Sequence, residues 1–364
     1  MRVRNGMLVL LAGLSLAMWS VPALAEIKII EADGSYVMGD NDSKVDARRI
    51  AVQEAKGKAL ELAGAFVESL PQVQNYRLAR DEVKAYTAGV LETEVTAEQT
   101  RGDAERPEIY VRVRYRIDSD VLLQQIDRYR ESEDLKEQLL ASARENMALK
   151  KERDALVKQL ASEKDAARAG NMRKKLDTVL AREEANDDTN RVWTNLAIPL
   201  EDADDNGQEL KQTDLDRSAI VLERVVAIDP RNQRARYLLA AVYQRQGNQS
   251  AAENELRAAI HHNPSNPAPH LKLGLLLRER GKYQEAMREF HFVERLRPHN
   301  VLTIYYSGMT FKDMGKCGKA VQYLNRFLKD KRTEKYTHRR EQALVTVEEC
   351  GGERPGRHKR VRQE

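Results

Sequence analysis

The sequence has no glycine-rich phosphate loop, no nucleophile elbow and no closely spaced cysteine pair, so the usual motifs that concentrate catalytic groups are absent. Its seven histidines, His261, His262, His270, His291, His299, His338 and His358, fall at spacings that suit no metal set. No enzyme is expected. Aromatic residues are also scarce, at 5 % of 364 positions against 32 % charged, which disfavours one large core and favours several helical, extended domains. The net charge is only +4, too small for the basic field that nucleic acid requires. Cysteine occurs twice, at Cys317 and Cys350. Either neighbouring elements bring the two within disulfide reach or they are two inert thiols, and spacing alone leaves both readings open.

Long apolar runs are rare too, and the clearest opens the chain. MRVRNGMLVLLAGLSLAMWSVPALA carries Arg2 and Arg4, an apolar run from Met7 to Trp19, and Ala23-Leu24-Ala25 as a small-x-small cleavage site. Residues 1–25 therefore read as a signal peptide, with a periplasmic or secreted chain beginning at Glu26 and no integral membrane segment after cleavage. An uncleaved anchor is the rival reading; Pro22 and the short apolar core speak against it. No cysteine follows the site, so lipid attachment there is not expected.

Against these absences stands a repeat. GNQSAAENELRAAIHHNPSN, GKYQEAMREFHFVERLRPHN and GKCGKAVQYLNRFLKDKRTE begin 34 residues apart, aligning Gly247, Gly281 and Gly315, and likewise Ala252, Ala286 and Ala320. Each glycine follows one apolar helical run and precedes another, so it closes one helix and lets a second return. The alanine must be small because the two helices approach there, and Pro230, Pro264 and Pro298 stop the second helix. This period and punctuation resemble the tetratricopeptide repeat, with Leu239, Tyr243, Leu273, Gly274, Phe290 and Gly308 also at matching positions. Three full repeats are expected at 233–264, 267–298 and 301–332, inside an array over 215–350. LDRSAIVLERVVAIDP gives only the second helix of a further unit, and the helix after the last repeat should cap the stack.

The resemblance implies a groove lined by first helices. Its positions hold Arg234, Tyr237, Ala241, Gln244, Leu271, Leu275, Arg278, Leu302, Tyr305, Met309 and Lys312, a set suited to a peptide with apolar anchors and some negative charge. The asparagines of the family's carboxylate-clamp subtype are replaced by Ala241, Leu275 and Met309, so that mode is not expected.

Residues 26–118 read as an α+β domain. Ala47, Ala51, Ala55, Ala59 and Ala63 form a ridge on one long helix that lets it lie close to a sheet, with Ile50, Leu62 and Phe66 filling beside it. Two closing strands alternate Thr93, Val95 and Ala97 inward with Glu92, Glu94 and Glu98 outward, and Arg112, Arg114 and Arg116 outward opposite Val111, Val113 and Tyr115. The arginine row reads as a neutralised sheet face. The alanine-ridged helix and GSYVMGDNDSKVDARRIAVQEAKGKAL resemble the N-terminal domain of a flagellar basal-body ring protein and of related small envelope lipoproteins, which implies an envelope assembly module.

Between these regions, 119–185 reads as a helical rod, one helix or two in series. Leu135, Leu139, Leu149, Leu156 and Leu160 offer a coiled-coil seam for a homo-oligomer, broken by Ser142, Asn146, Arg153 and Glu163. Residues 186–214 read as an acidic linker. In it Asp202, Asp204, Asn206 and Gln208 match the first half of a calcium loop, but Thr213 replaces the closing glutamate. The other reading, an acidic surface loop between helices, accounts for the missing second half of the motif; no other cofactor is expected. The basic tail, 351–364, reads as a solvated end. The sum is a multidomain chain, an α+β module, a rod and an all-α repeat superhelix, expected to be a non-enzymatic exported scaffold or adaptor for protein partners, with a calcium-responsive binding protein as the alternative.

Overall fold

The computed structural model describes residues 27–39, 42–88, 92–103, 106–131, 133–202 and 211–352. The expected signal peptide, most of the calcium loop and nearly all of the basic tail lie outside them.

The N-terminal layer begins with β1 (Ile27–Val37) and α1 (Lys44–Ser69), continues through α2 (Pro71–Tyr76) and α3 (Arg80–Ala88), and ends with β2 (Glu92–Arg101) and β3 (Glu108–Asp118). The three strands are antiparallel in the order β1-β3-β2. Ser43 caps α1 by accepting from the Asp46 amide. All five ridge alanines are fully buried. They bring α1 so close to β1 that a Cβ on Gly34 would collide with the Ala51 carbonyl. Beside the ridge, Leu62 does not fill the core as expected but stands 52 % exposed.

A β-bulge between Val95 and Ala97 corrects the expected alternation on β2. Beyond it, Ala97 lies opposite Arg112 on the outer face, and Glu98 reaches Arg48 of α1 at 2.7 Å. Two of the three arginines in the row are neutralised, mainly from β1: Arg112 binds Asp33 at 2.7 Å and Arg114 binds Glu31 at 2.8 Å, with Glu94 of β2 at 4.0 Å.

The expected rod is not a rod. After α4 (Ser119–Glu131), α5 (Glu133–Ser162) and α6 (Ala166–Asp202) form an antiparallel hairpin, as the pairs Arg153–Glu183 and Asn146–Asn186 require. Asp165 starts α6 by accepting from the Arg168 amide. Leu149, Leu156 and Leu160 bury against Leu176, Val179 and Leu180, so a large part of the seam expected to meet a second copy meets the chain's own returning helix. Two residues that interrupted the seam have partners there. Arg153, buried, holds buried Glu183 at 3.1 Å, and Asn186 donates to Asn146 at 2.8 Å. The hairpin also docks on the N-terminal layer, where Arg49 binds Asp177 at 2.6 Å and Glu184 at 2.7 Å, and Lys56 binds Asp187 at 2.5 Å.

Nor is 186–202 a linker, because it continues α6. From there α7 (Gln212–Ile228) returns against α6, giving the incomplete unit the first helix that no in-frame segment provided. Arg224 pairs with Asp188, and Arg182 with Asp229 at 3.1 Å. Three hairpins follow: α8 (Gln233–Arg245) with α9 (Gln249–His262), α10 (Pro267–Glu279) with α11 (Tyr283–Leu296), and α12 (Val301–Asp313) with α13 (Cys317–Lys329), then α14 (Thr337–Glu349). Gly247, Gly281 and Gly315 have φ of +78°, +72° and +71°, the left-handed geometry that lets each first helix stop and turn. Ala252, Ala286 and Ala320 are buried at the crossings. The described residues contain no helix long and apolar enough to cross a membrane.

Candidate protein-binding face

The first helices of successive hairpins adjoin, and the residues assigned to a groove lie along them in three situations. Some link neighbouring repeats. Gln244 donates to Glu279 at 2.8 Å, Arg278 binds Asp313 at 2.7 Å and Lys312 binds Glu349 at 2.7 Å, a polar ladder at equivalent positions. Arg278 is thus already paired.

Others are covered by the chain itself. Tyr305 is only 4 % exposed, and its hydroxyl donates to Gln342 of α14. Met309 Sδ accepts from the Thr346 hydroxyl at 3.7 Å. The capping helix therefore occupies the end of the expected groove, with Ala343 and Val347 fully buried against the last repeat. A covalent link fixes it there: Cys317, at the start of α13, and Cys350, the residue after α14, form a disulfide with Cα atoms 5.1 Å apart.

The third group remains half-buried and apolar. Tyr237, Leu271 and Leu275 pack against the core of the middle hairpins while keeping one side open. Arg234 is different again, being buried with its guanidinium 4.2 Å from the ring of Trp193 and Nη1 donating to Asn190. Trp193 also lies beside Tyr237, their ring centroids 6.5 Å apart. The structure thus gathers Arg234 and Tyr237 around a tryptophan that the linker reading of 186–214 passed over. The apolar run Val192, Trp193, Leu196, Ala197 and Ile198 was the available signal.

A cavity of about 260 Å³ opens beside this group, between α5, α6 and the turns that precede α8 and α10. Its wall includes Gln138, Glu145, Asn186, Arg231, Arg234 and His262. Burial and then the charge of Asp229 raise the Glu145 carboxyl, although Arg182 holds it at 3.0 Å. Burial, and then the neighbouring Arg236, His261 and Arg231, lower His262.

For the calcium reading, Asp202 ends α6, while Asp204, Asn206 and Gln208 lie outside the described residues. Among the described residues, no group of three His, Cys, Asp or Glu side chains is placed to hold a metal.

Residues 209–276, from just before α7 through most of α10, match the tetratricopeptide repeat family. The C-terminal region therefore carries tetratricopeptide-like helical repeats. Similar solved structures include a crystal structure of MamA (22 % identity, 46 % of this chain and 90 % of that one, TM-score 0.31). Others are Pseudomonas aeruginosa PilF (20 %, 47 % and 79 %, TM-score 0.35) and YrrB, described as a TPR protein with an unusual peptide-binding site (16 %, 38 % and 77 %, TM-score 0.32). No curated protein matches the chain.

Proposed function

We propose that this protein is a non-enzymatic adaptor of a bacterial envelope assembly, holding a protein partner on the face of α8 and α10. The observation that carries the reading is the half-buried stripe of Tyr237, Leu271 and Leu275 within tetratricopeptide-like repeats. These side chains bury part of their surface in the core and keep the rest for a partner's apolar anchors. The capping helix restricts the site to the first two full repeats, since Tyr305 and Met309 are engaged by α14. Export is supported by the charged, apolar and small-residue order of the first 25 positions and by the Cys317–Cys350 disulfide, which suits an oxidising compartment.

The test is affinity capture from bacterial envelope extract with the full chain as bait, against a Leu271→Ala, Leu275→Ala bait. Capture of a specific envelope protein that the double variant loses is the expected result. Equal capture by both baits removes the function from this face.

A further inference from the structure

The helix that closes the array is fastened at its ends more firmly than along its length. Of the 13 residues of α14, only Ala343, Thr346 and Val347 are buried. The equally long α10 buries eight, from Pro267 to Leu277. Toward α12 the helix makes side-chain polar contacts: Gln342 with the Tyr305 hydroxyl, Thr346 with Met309 Sδ at 3.7 Å, and Glu349 with Lys312 at 2.7 Å. At its N-terminal end Arg340 donates to the Leu328 carbonyl at 3.0 Å. At its C-terminal end the fastening is covalent, through Cys350 to Cys317. So little apolar burial does not by itself order a helix of this length, which leaves the disulfide as the main hold on its last turns.

The two sulfurs of that bond sit in opposite electrostatic settings. Cys317 is the first residue of the 13-residue α13, behind Lys316 and with Lys319 in the first turn. A helix N-terminus flanked by cations favours a thiolate. Cys350 follows the C-terminus of α14, next to Glu348 and Glu349, where the helix carbonyls and the carboxylates oppose one. Cys317 is therefore the better leaving group, and Cys350 the sulfur that an incoming thiolate attacks. Both cysteines are half-buried and not enclosed, the setting in which disulfides exchange.

We propose that the Cys317–Cys350 disulfide is a thiol-exchange switch that releases α14 and so regulates the binding face. The reductant is a dithiol. One of its thiolates attacks Cys350 Sγ, the S–S bond breaks, and the bonding pair leaves on Cys317 Sγ. The dithiol's second thiolate then attacks the dithiol sulfur of the mixed disulfide and expels Cys350 as a thiolate. The dithiol ends as a disulfide, the protein gains two electrons, and the two protons of the dithiol pass to the medium or to the freed sulfurs. Arg340 keeps the N-terminal end of α14 in place while its last turns detach from Met309 and Lys312. The open face then extends from α8 and α10 onto α12. The exchange chemistry stands alone, whereas this consequence rests on the proposed binding role of the α8–α10 face.

The experiment treats the folded full chain with reduced glutathione, quenches with N-ethylmaleimide and maps both cysteines by mass spectrometry. Glutathione on Cys350 with maleimide on Cys317 is expected, at a rate that Lys316→Glu lowers by about twofold or more. After complete reduction with dithiothreitol, amide exchange in α14 should quicken by about tenfold or more while α10 keeps its protection, and reoxidation should restore α14. Reduction only in denaturant, glutathione mainly on Cys317, or an equal quickening of α10 and α14 overturns the switch, the last result marking a structural staple. Regulation is read by capture from bacterial envelope extract, with a Cys317→Ser, Cys350→Ser bait as the permanently open form. Stronger capture than by the oxidised wild type is expected. Equal capture by these two, with the Leu271→Ala, Leu275→Ala bait still losing the partner, overturns the regulation and leaves the binding face standing.

Discussion

The α5–α6 hairpin and the α10–α11 hairpin are both antiparallel helix pairs, yet their registers are set by different chemistry. In α5–α6, Arg153 meets Glu183 and Asn146 meets Asn186 inside a leucine-lined seam, so a slip by one turn would strand buried polar groups. In α10–α11, the ring of Phe290 lies against Gly274, and Ala286 is fully buried at the crossing, so register follows from close approach. A contact of small residue against large can be repeated along a chain; matched polar partners specify one pairing.

The largest test of that contrast removes one buried charge. Arg153→Leu leaves Glu183 unpaired and should cost about 3–5 kcal/mol in urea unfolding, whereas Arg153→Met with Glu183→Leu should recover most of it. A mild effect of the single variant would mean that the pair does not set the register. Next comes the covalent contribution at the end of the array. Replacing Cys317 and Cys350 by serine should lower stability by about 2–4 kcal/mol and speed amide exchange in α14 before exchange in α10.

Glycine separates the hairpins more finely. Gly274→Ala places a methyl group against the Phe290 ring and should cost about 1–3 kcal/mol. Gly170→Ala in α6 meets nothing within 4 Å and should instead gain about 0.5–1 kcal/mol. Thermal unfolding of the two variants reads the opposite signs directly.

The smallest effect is a pH slope. Burial raises the Glu183 carboxyl, with Arg153 opposing and Asp187 and Asp154 adding to the shift. With its folded value above its unfolded one, the native state binds more protons between the two, so this group's contribution to stability falls as pH rises through that window. Glu183→Gln should abolish that component. A difference between the two stability curves that is flat from pH 4 to 7 would contradict the sign.

These contrasts also explain what the sequence made legible. The three repeats could be read because Gly247, Gly281 and Gly315 recur in one frame, and the alanine ridge because every fourth residue is small. The fold-back at 163–165 has neither glycine nor proline; its sole local mark is Asp165 as a cap. Asn146 and Arg153 looked like flaws in a seam because their partners lie 40 and 30 residues away, beyond any local periodicity. The β2 bulge left no glycine at Thr96 to announce it, so Glu98 was assigned to the wrong face. In the site, groove positions transferred by frame could not reveal that α14 covers Tyr305, and the pocket draws on α5, outside the repeat frame altogether.

At 37 residues, α6 extends roughly 55 Å at 1.5 Å per residue, and it meets α1 through Asp177, Glu184 and Asp187, α5 through Glu183 and Asn186, and α8 through Asn190. A pull exerted by a partner on the first repeats would therefore reach the sheet along one continuous strut. Torque and tension would pass through it as through the shaft of a lever, with no loop between to absorb them.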